Sequence, residues 1–211
     1  MRCATIADMR RVALSSLLLS LMMFAGEPLS QKDRDFAMSH MHATRKLFLD
    51  STTDLTPAQW AFKASPEKWS IAECAEHIAT SETFLWGLIE KLAASPASKP
   101  EDIAKTKDKD AAVVKMVPDR SSKFQAPEPI KPKKLASDPT EYIAKFKAAR
   151  DEHIAFMEKS DASLRDKVTP HPAMGPLDGY QWALLLSAHV ERHVLQIQEV
   201  KAAAGFPAAA K

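Results

Sequence analysis

The sequence predicts an all-α protein built as a four-helix bundle, and three observations carry that prediction. Apolar residues recur at three-to-four spacing in four long stretches, the period of a helix buried along one face. Prolines mark the connections between those stretches. The 211 residues include 14 Pro but only 5 Gly, which argues against a sheet protein full of tight turns and against a glycine-rich phosphate loop.

The first helix is expected over about residues 32–50, with Phe36, Met38, His42, Arg45, Leu47, Phe48 and Leu49 giving an approximate apolar face. Its connection runs through Pro57 and Pro66 to Trp69. Ser70 then reads as an N-cap, and Glu73 at the third helical position completes a capping box. The second helix, about 71–92, presents Ile71, Ala75, Ile78, Leu85, Leu88 and Leu92 to the core and stops before Pro96. Residues 94–136 hold 6 of the 14 prolines and ten basic against six acidic residues. This texture reads as a solvated connection with one short helix around 103–117, ended by Pro118, and an irregular surface wrap over 121–135.

Asp138 or Ser137 caps the third long helix, with Pro139 in its first turn, where a missing N–H does no harm. Tyr142, Ile143, Phe146, Ala149, His153, Ile154 and Met157 follow at helical spacing up to Lys159. A rigid approach over 169–176 leads to Asp178, the cap of a last helix over about 179–204. That helix is apolar on most of its circumference and should be the most buried of the four. The intervening connections exceed the usual 2–8 residues, so a simple up-down-up-down order is not assured.

Residues 1–26 differ in kind from the rest. Arg2, Arg10 and Arg11 precede an uncharged, mostly apolar run over 12–26, the pattern of a signal peptide and too short for a comfortable membrane span. An exported, periplasmic protein is therefore expected, with a cytoplasmic one as the alternative. Removal of the leader takes Cys3 with it and leaves Cys74 alone, so no internal disulfide is expected. The 29 basic and 27 acidic residues nearly cancel, which gives no footprint for nucleic acid. No membrane contact is expected once the leader is gone, and a homodimer is compatible with the sequence.

Seven histidines occur, and the pair His189 and His193 stands out. Four residues on a helix return to nearly the same azimuth one turn along, so both imidazoles can aim at one point. If the second and fourth helices face each other, His77 supplies a third nitrogen. Three neutral imidazoles with open positions for water make a catalytic-type metal site, suited to Zn, Ni, Cu or Fe. The competing reading is that all three are ordinary core histidines. Other templates fail: there is no His-Glu-x-x-His, no Glu-x-x-His, and no Pro-Cys-x-x-Cys after His189-Val-Glu191. Participation of His42, His171, Cys74 and Glu73 stays open, Glu73 as a partner for a ligand ring.

The run Trp69-Ser-Ile-Ala-Glu-Cys-Ala-Glu-His77 and the run Gln181-Trp-Ala-Leu-Leu-Leu-Ser-Ala-His189-Val-Glu-Arg-His193 resemble the two signature helices of the DinB-like superfamily, the DinB/YfiT-like metalloenzymes. The tracts Arg120–Pro132 and His171–Leu177 are similar to its connectors. The resemblance covers about residues 32–203, the expected single domain. It implies an up-down-down-up bundle and a divalent metal, Zn, Ni or Fe, held by His77, His189 and His193. It also implies a small-molecule substrate and transfer involving a low-molecular-weight thiol, while a metal-polarised water makes hydrolysis the other reaction in view. The alternative to an enzyme is a metal- or ligand-binding bundle without turnover. The leader-like start and the long second connection depart from the family pattern.

Overall fold

The computed structural model describes residues 26–134 and 138–208. The expected leader lies outside the described residues apart from Gly26. The described elements are α1 (Gln31–Thr52), α2 (Pro57–Ala61), α3 (Ile71–Ala93), α4 (Pro100–Ala104), α5 (Asp110–Met116), α6 (Thr140–Lys159), β1 (Val168–His171), β2 (Gly175–Asp178) and α7 (Gly179–Lys201). Single 3-10 turns stand at Glu128–Ile130 and Leu164–Asp166.

Four helices start where the sequence supplies an oxygen for their free N–H groups. Ser30 accepts from the Asp33 amide, and Thr56, Ser70 and Asp178 each complete a full capping box with Gln59, Glu73 and Gln181. Caps of this kind contribute about 1 kcal/mol apiece. They also fix the phase of each helix, which decides where its later side chains point.

The long helices α1, α3, α6 and α7 form the bundle, with α1 and α3 each packed against both α6 and α7. Their directions follow from cross-helix contacts. Tyr180 Oη donates to the Asp33 carbonyl while Ser187 meets His40 and Thr44 further along, so α1 and α7 run parallel. Arg150 pairs with Glu82, and Phe156 meets Trp86, so α3 and α6 are parallel too. Arg34 reaches the Met157 carbonyl while Arg150 reaches Thr44, which makes α1 and α6 antiparallel. The order is therefore up-down-down-up, and α3 runs antiparallel to α7.

The last helix is the most enclosed, as expected, with Ala183, Leu184, Leu186, Ala188 and Ile197 wholly buried. The face of α1 differs from the expected one. Ala37, Met41, Thr44 and Phe48 point inward, whereas Phe36 and Leu47 are exposed. The physical reason is that α1 buries a small and polar stripe, Ala37 and Thr44 among it, against hydrogen-bonding groups of α6 and α7. Such a stripe carries little hydrophobic signal.

Two connections also differ. The single short helix expected over 103–117 is two, α4 and α5, broken at residues 105–109, where Asp108 takes a left-handed φ of 61°. The approach over 169–176 is a β-hairpin, with Val168 opposite Asp178 and His171 opposite Gly175. Gly175 turns it with φ of 68°, a conformation glycine adopts without a Cβ penalty. The wrap after Pro118 is irregular as expected, apart from its one 3-10 turn. Among the described residues, no helix is long and apolar enough to cross a membrane.

One polar cluster lies inside the core. Glu82 and Arg150 are fully buried and joined by two hydrogen bonds of 2.6 and 2.7 Å. His153 meets the same carboxylate at 2.8 Å and stacks on Trp86, with ring centroids 3.9 Å apart. The remaining guanidinium nitrogen donates to the Met41 carbonyl and to Thr44. Every charged atom of the pair thus has a partner, the condition for tolerating ions in a core.

Candidate metal centre

The capping box at Ser70 starts α3 seven residues before His77, which turns that ring towards α7. On α7, His189 and His193 lie one turn apart on one azimuth. Because α3 and α7 pack side by side, the three imidazoles converge. His77 Nε2 stands 3.2 Å from His189 Nε2, and His193 Nε2 stands 3.1 Å from it. Each of the three residues offers one such atom, and these lie within 4.8 Å of one another. His77 and His193 are buried and His189 is half-buried.

Hydrogen-bond accounting tests whether this cluster suits a cation. His77 Nδ1 lies 2.7 Å from the Ile130 carbonyl, which only accepts, so Nδ1 carries the proton and Nε2 carries a lone pair. His193 Nδ1 lies 2.9 Å from Gln196 Oε1, with the same consequence. Between two bare nitrogens, a neutral His189 can donate through Nε2 to one of them and never to both. At least one lone pair therefore faces another ring without a proton. A positive ion removes that conflict. Two nitrogens at about 2.0–2.1 Å from a tetrahedral zinc stand about 3.3–3.4 Å apart, close to the spacing found. The donor set fits a divalent metal.

Electrostatics agree. Burial holds the His77 ring well towards its neutral form, opposed only by its bond to Ile130. His189 is held far below its ordinary range by burial, then by the charges of His77 and Arg192. His193 is lowered likewise by burial, His189 and His77. Neutral rings are the ligand form.

The wrap after α5 completes the site. Arg192 donates to the carbonyls of Val117, Asp119 and Ser122, which anchors its first part to α7. Glu76, the residue before His77, accepts from the amides of Lys133 and Lys134 at 2.7 and 2.8 Å, which anchors its end to α3. Between those anchors Ile130 presents its carbonyl to His77. Trp69 forms a further wall, its ring 4.9 Å from that of His77 and 5.9 Å from that of His193, nearly parallel to the latter at 22°.

The other residues singled out in the sequence lie elsewhere. His42 is exposed on α1, and His40 bonds Ser187 on the α1–α7 seam. His153 belongs to the buried Glu82 cluster. His171 takes the amide protons of Ala173 and Met174 on Nδ1 and closes the hairpin turn. Glu73 is held by its cap and by Lys63, and orients no ligand ring. Cys74 is fully buried, and burial pushes its thiol strongly towards the protonated form. Trp60, Trp86 and Trp182 plug the core, whereas Trp69 packs on the histidines. Sequence reasoning missed Ile130, whose main-chain carbonyl has no side-chain signature. It also missed Gln196, although its place three residues after His193 was readable as a same-face neighbour.

Comparison with known proteins gives concordant results. The DinB superfamily profile matches residues 40–197. The uncharacterized protein YuaE of Bacillus subtilis (strain 168) is 24% identical over 140 residues, covering 66% of this chain and 81% of its own. The structure of YfiT from Bacillus subtilis aligns with a TM-score of 0.56 at 14% identity, covering 85% of this chain and 91% of that one. YfiT is described as a probable metal-dependent hydrolase with an unusual four-helix bundle topology. The match over most of its length, on a bundle of the same kind, places this chain in the DinB superfamily.

Proposed function

We propose that this protein is a metal-dependent hydrolase whose His77, His189 and His193 hold one divalent transition ion: zinc, nickel or iron. The convergence of three imidazole nitrogens within 4.8 Å, two of them bare Nε2 atoms, carries this reading. When bound, such an ion acts as a Lewis acid that polarises a carbonyl or phosphoryl oxygen and makes water nucleophilic near neutral pH.

The residues of the chain serve that chemistry in distinct ways. Ile130 and Gln196 hold the Nδ1 protons of two rings, which keeps both Nε2 atoms open as donors. Burial keeps all three rings neutral. Trp69 walls the cluster on one side. Cys74 is sealed in the core, so its thiol is not the attacking group. That observation also admits a second reading, transfer to a low-molecular-weight thiol. The leader-like residues 1–26 favour an exported protein, away from the reducing thiol pool, and weigh towards water.

The test is elemental analysis of the purified protein, followed by ester, amide and phosphoester substrates with and without added glutathione. Turnover in water alone that disappears in His189→Ala supports the hydrolase. Turnover only with glutathione replaces it with the transferase. A stoichiometric metal without turnover in either assay replaces both with a binding module.

A further inference from the structure

We infer that Arg120 sets the tautomer of His193 by locking the side-chain amide of Gln196, which makes it a positioning residue for the metal centre. This inference rests on the reading of the histidine cluster as a metal site. Gln196 lies three residues after His193 on α7, and its Oε1 stands 2.9 Å from His193 Nδ1. A glutamine amide has an oxygen on one side and an NH2 on the other, and a half-turn of the group exchanges them at almost no steric cost. With oxygen facing the ring, Nδ1 keeps the proton and Nε2 is bare. With NH2 facing the ring, Nδ1 must accept, the proton moves to Nε2, and the ligand atom is blocked.

Arg120 decides between those states. Its Nη1 lies 3.4 Å from the same Oε1. A guanidinium has donors only, so a turned amide would set NH2 against N–H. Arg120 is itself fixed by Glu199, which accepts from Nε at 2.5 Å and from Nη2 at 2.7 Å. Residues 193, 196 and 199 share one face of α7 at three-residue spacing, and the arginine enters from the wrap. His77 needs no such lock, because its partner is the main-chain carbonyl of Ile130, which has no second face to present.

The test uses full-length protein labelled with 15N-histidine. In metal-free wild type, long-range 1H–15N correlation should show His193 with its proton on Nδ1. Arg120→Met should populate the Nε2–H form and weaken Zn2+ binding, measured by chelator competition, by about tenfold. Gln196→Glu offers oxygen on both faces, so adding Arg120→Met to it should change Zn2+ affinity by less than about threefold. An unchanged His193 tautomer in Arg120→Met overturns the inference. So does an equal loss of affinity in both backgrounds, which would mean that Arg120 merely docks the wrap. Failure of the wild type to take up Zn2+ overturns the proposed function instead, and the tautomer measured without metal still decides this inference.

Discussion

The main-chain carbonyl of Ile130 takes the Nδ1 proton of His77 at 2.7 Å across a separation of 53 residues. A segment with almost no regular structure thereby orients a ring on a rigid helix. Arg120 from the same segment reaches Gln196, the partner of His193. The long second connection is thus a structural part of the histidine cluster, anchored at both of the helices that carry its rings. Its irregular backbone leaves carbonyls free for such use, which a helix would have consumed internally.

Replacing His189 by Ala should abolish stoichiometric metal binding while leaving the fold intact. His189 Nε2 is the atom common to both short contacts of the cluster. His189 is half-buried as a residue and lies outside the apolar clusters of the core. Metal per chain by mass spectrometry should drop from near one to background, with an unchanged far-ultraviolet spectrum. Full retention of metal in the variant would refute the assignment.

The metal-free protein should lose stability as pH falls below neutrality. His77, His189 and His193 are lowered from their ordinary 6.5 by burial, as are His40 and His171. Below pH 6.5 the unfolded chain therefore binds more protons than the native one, and unfolding becomes easier. The sign is a stability fully present above 6.5 that declines as pH drops towards the depressed native values. Urea midpoints measured with chelator between pH 8 and pH 5 should fall accordingly. The double variant His189→Gln, His193→Gln should show a shallower decline, and an identical slope would contradict the assignment of neutral rings.

The bundle was legible because its signals are local. The capping box at Ser70, the cap at Asp178 and the apolar circumference of the last helix each act within one element. The histidine spacing on α7 was legible for the same reason, and His77 followed from pairing two strongly patterned helices. The inward face of α1 was not, since Ala37 and Thr44 are buried for their small size and hydrogen bonds rather than for hydrophobicity. Nor was the hairpin over 168–178, whose prolines at 170 and 176 sit opposite each other and read as loop residues. Nor was the place of Trp69 against His77 and His193, which depends on how a loop turns back and which propensity does not specify.

Glu82 should be far more costly to alter than any surface carboxylate. Its side chain and that of Arg150 are wholly out of water, and His153 shares its Oε1. Glu82→Ala would leave the Arg150 cation buried without its partner, a loss of about 3–5 kcal/mol. The Arg45–Asp151 pair, half exposed at its acidic end, should cost about 0–1 kcal/mol when Asp151 is replaced by Asn. Urea denaturation of both variants at pH 7 gives the comparison, and near-equal losses would show that the buried pair is dispensable.

Trp69 should report on occupancy of the metal centre. Among the described residues its indole is the one tryptophan ring in contact with the histidine cluster, 4.9 Å from His77 and 5.9 Å from His193. Trp60, Trp86 and Trp182 are buried in the apolar core, and the ring contacts of Trp86 and Trp182 are with His153, Phe156 and His171. A paramagnetic ion such as Co2+ quenches an indole at this range more strongly than one deeper in the bundle. Titrating metal-free wild type with Co2+ should therefore remove one tryptophan's share of the emission and saturate at one equivalent. Trp69→Phe keeps an aromatic wall and should bind Co2+ with little quenching of the three remaining indoles. Equal fractional quenching in wild type and Trp69→Phe would place the bound ion away from His77 and His193.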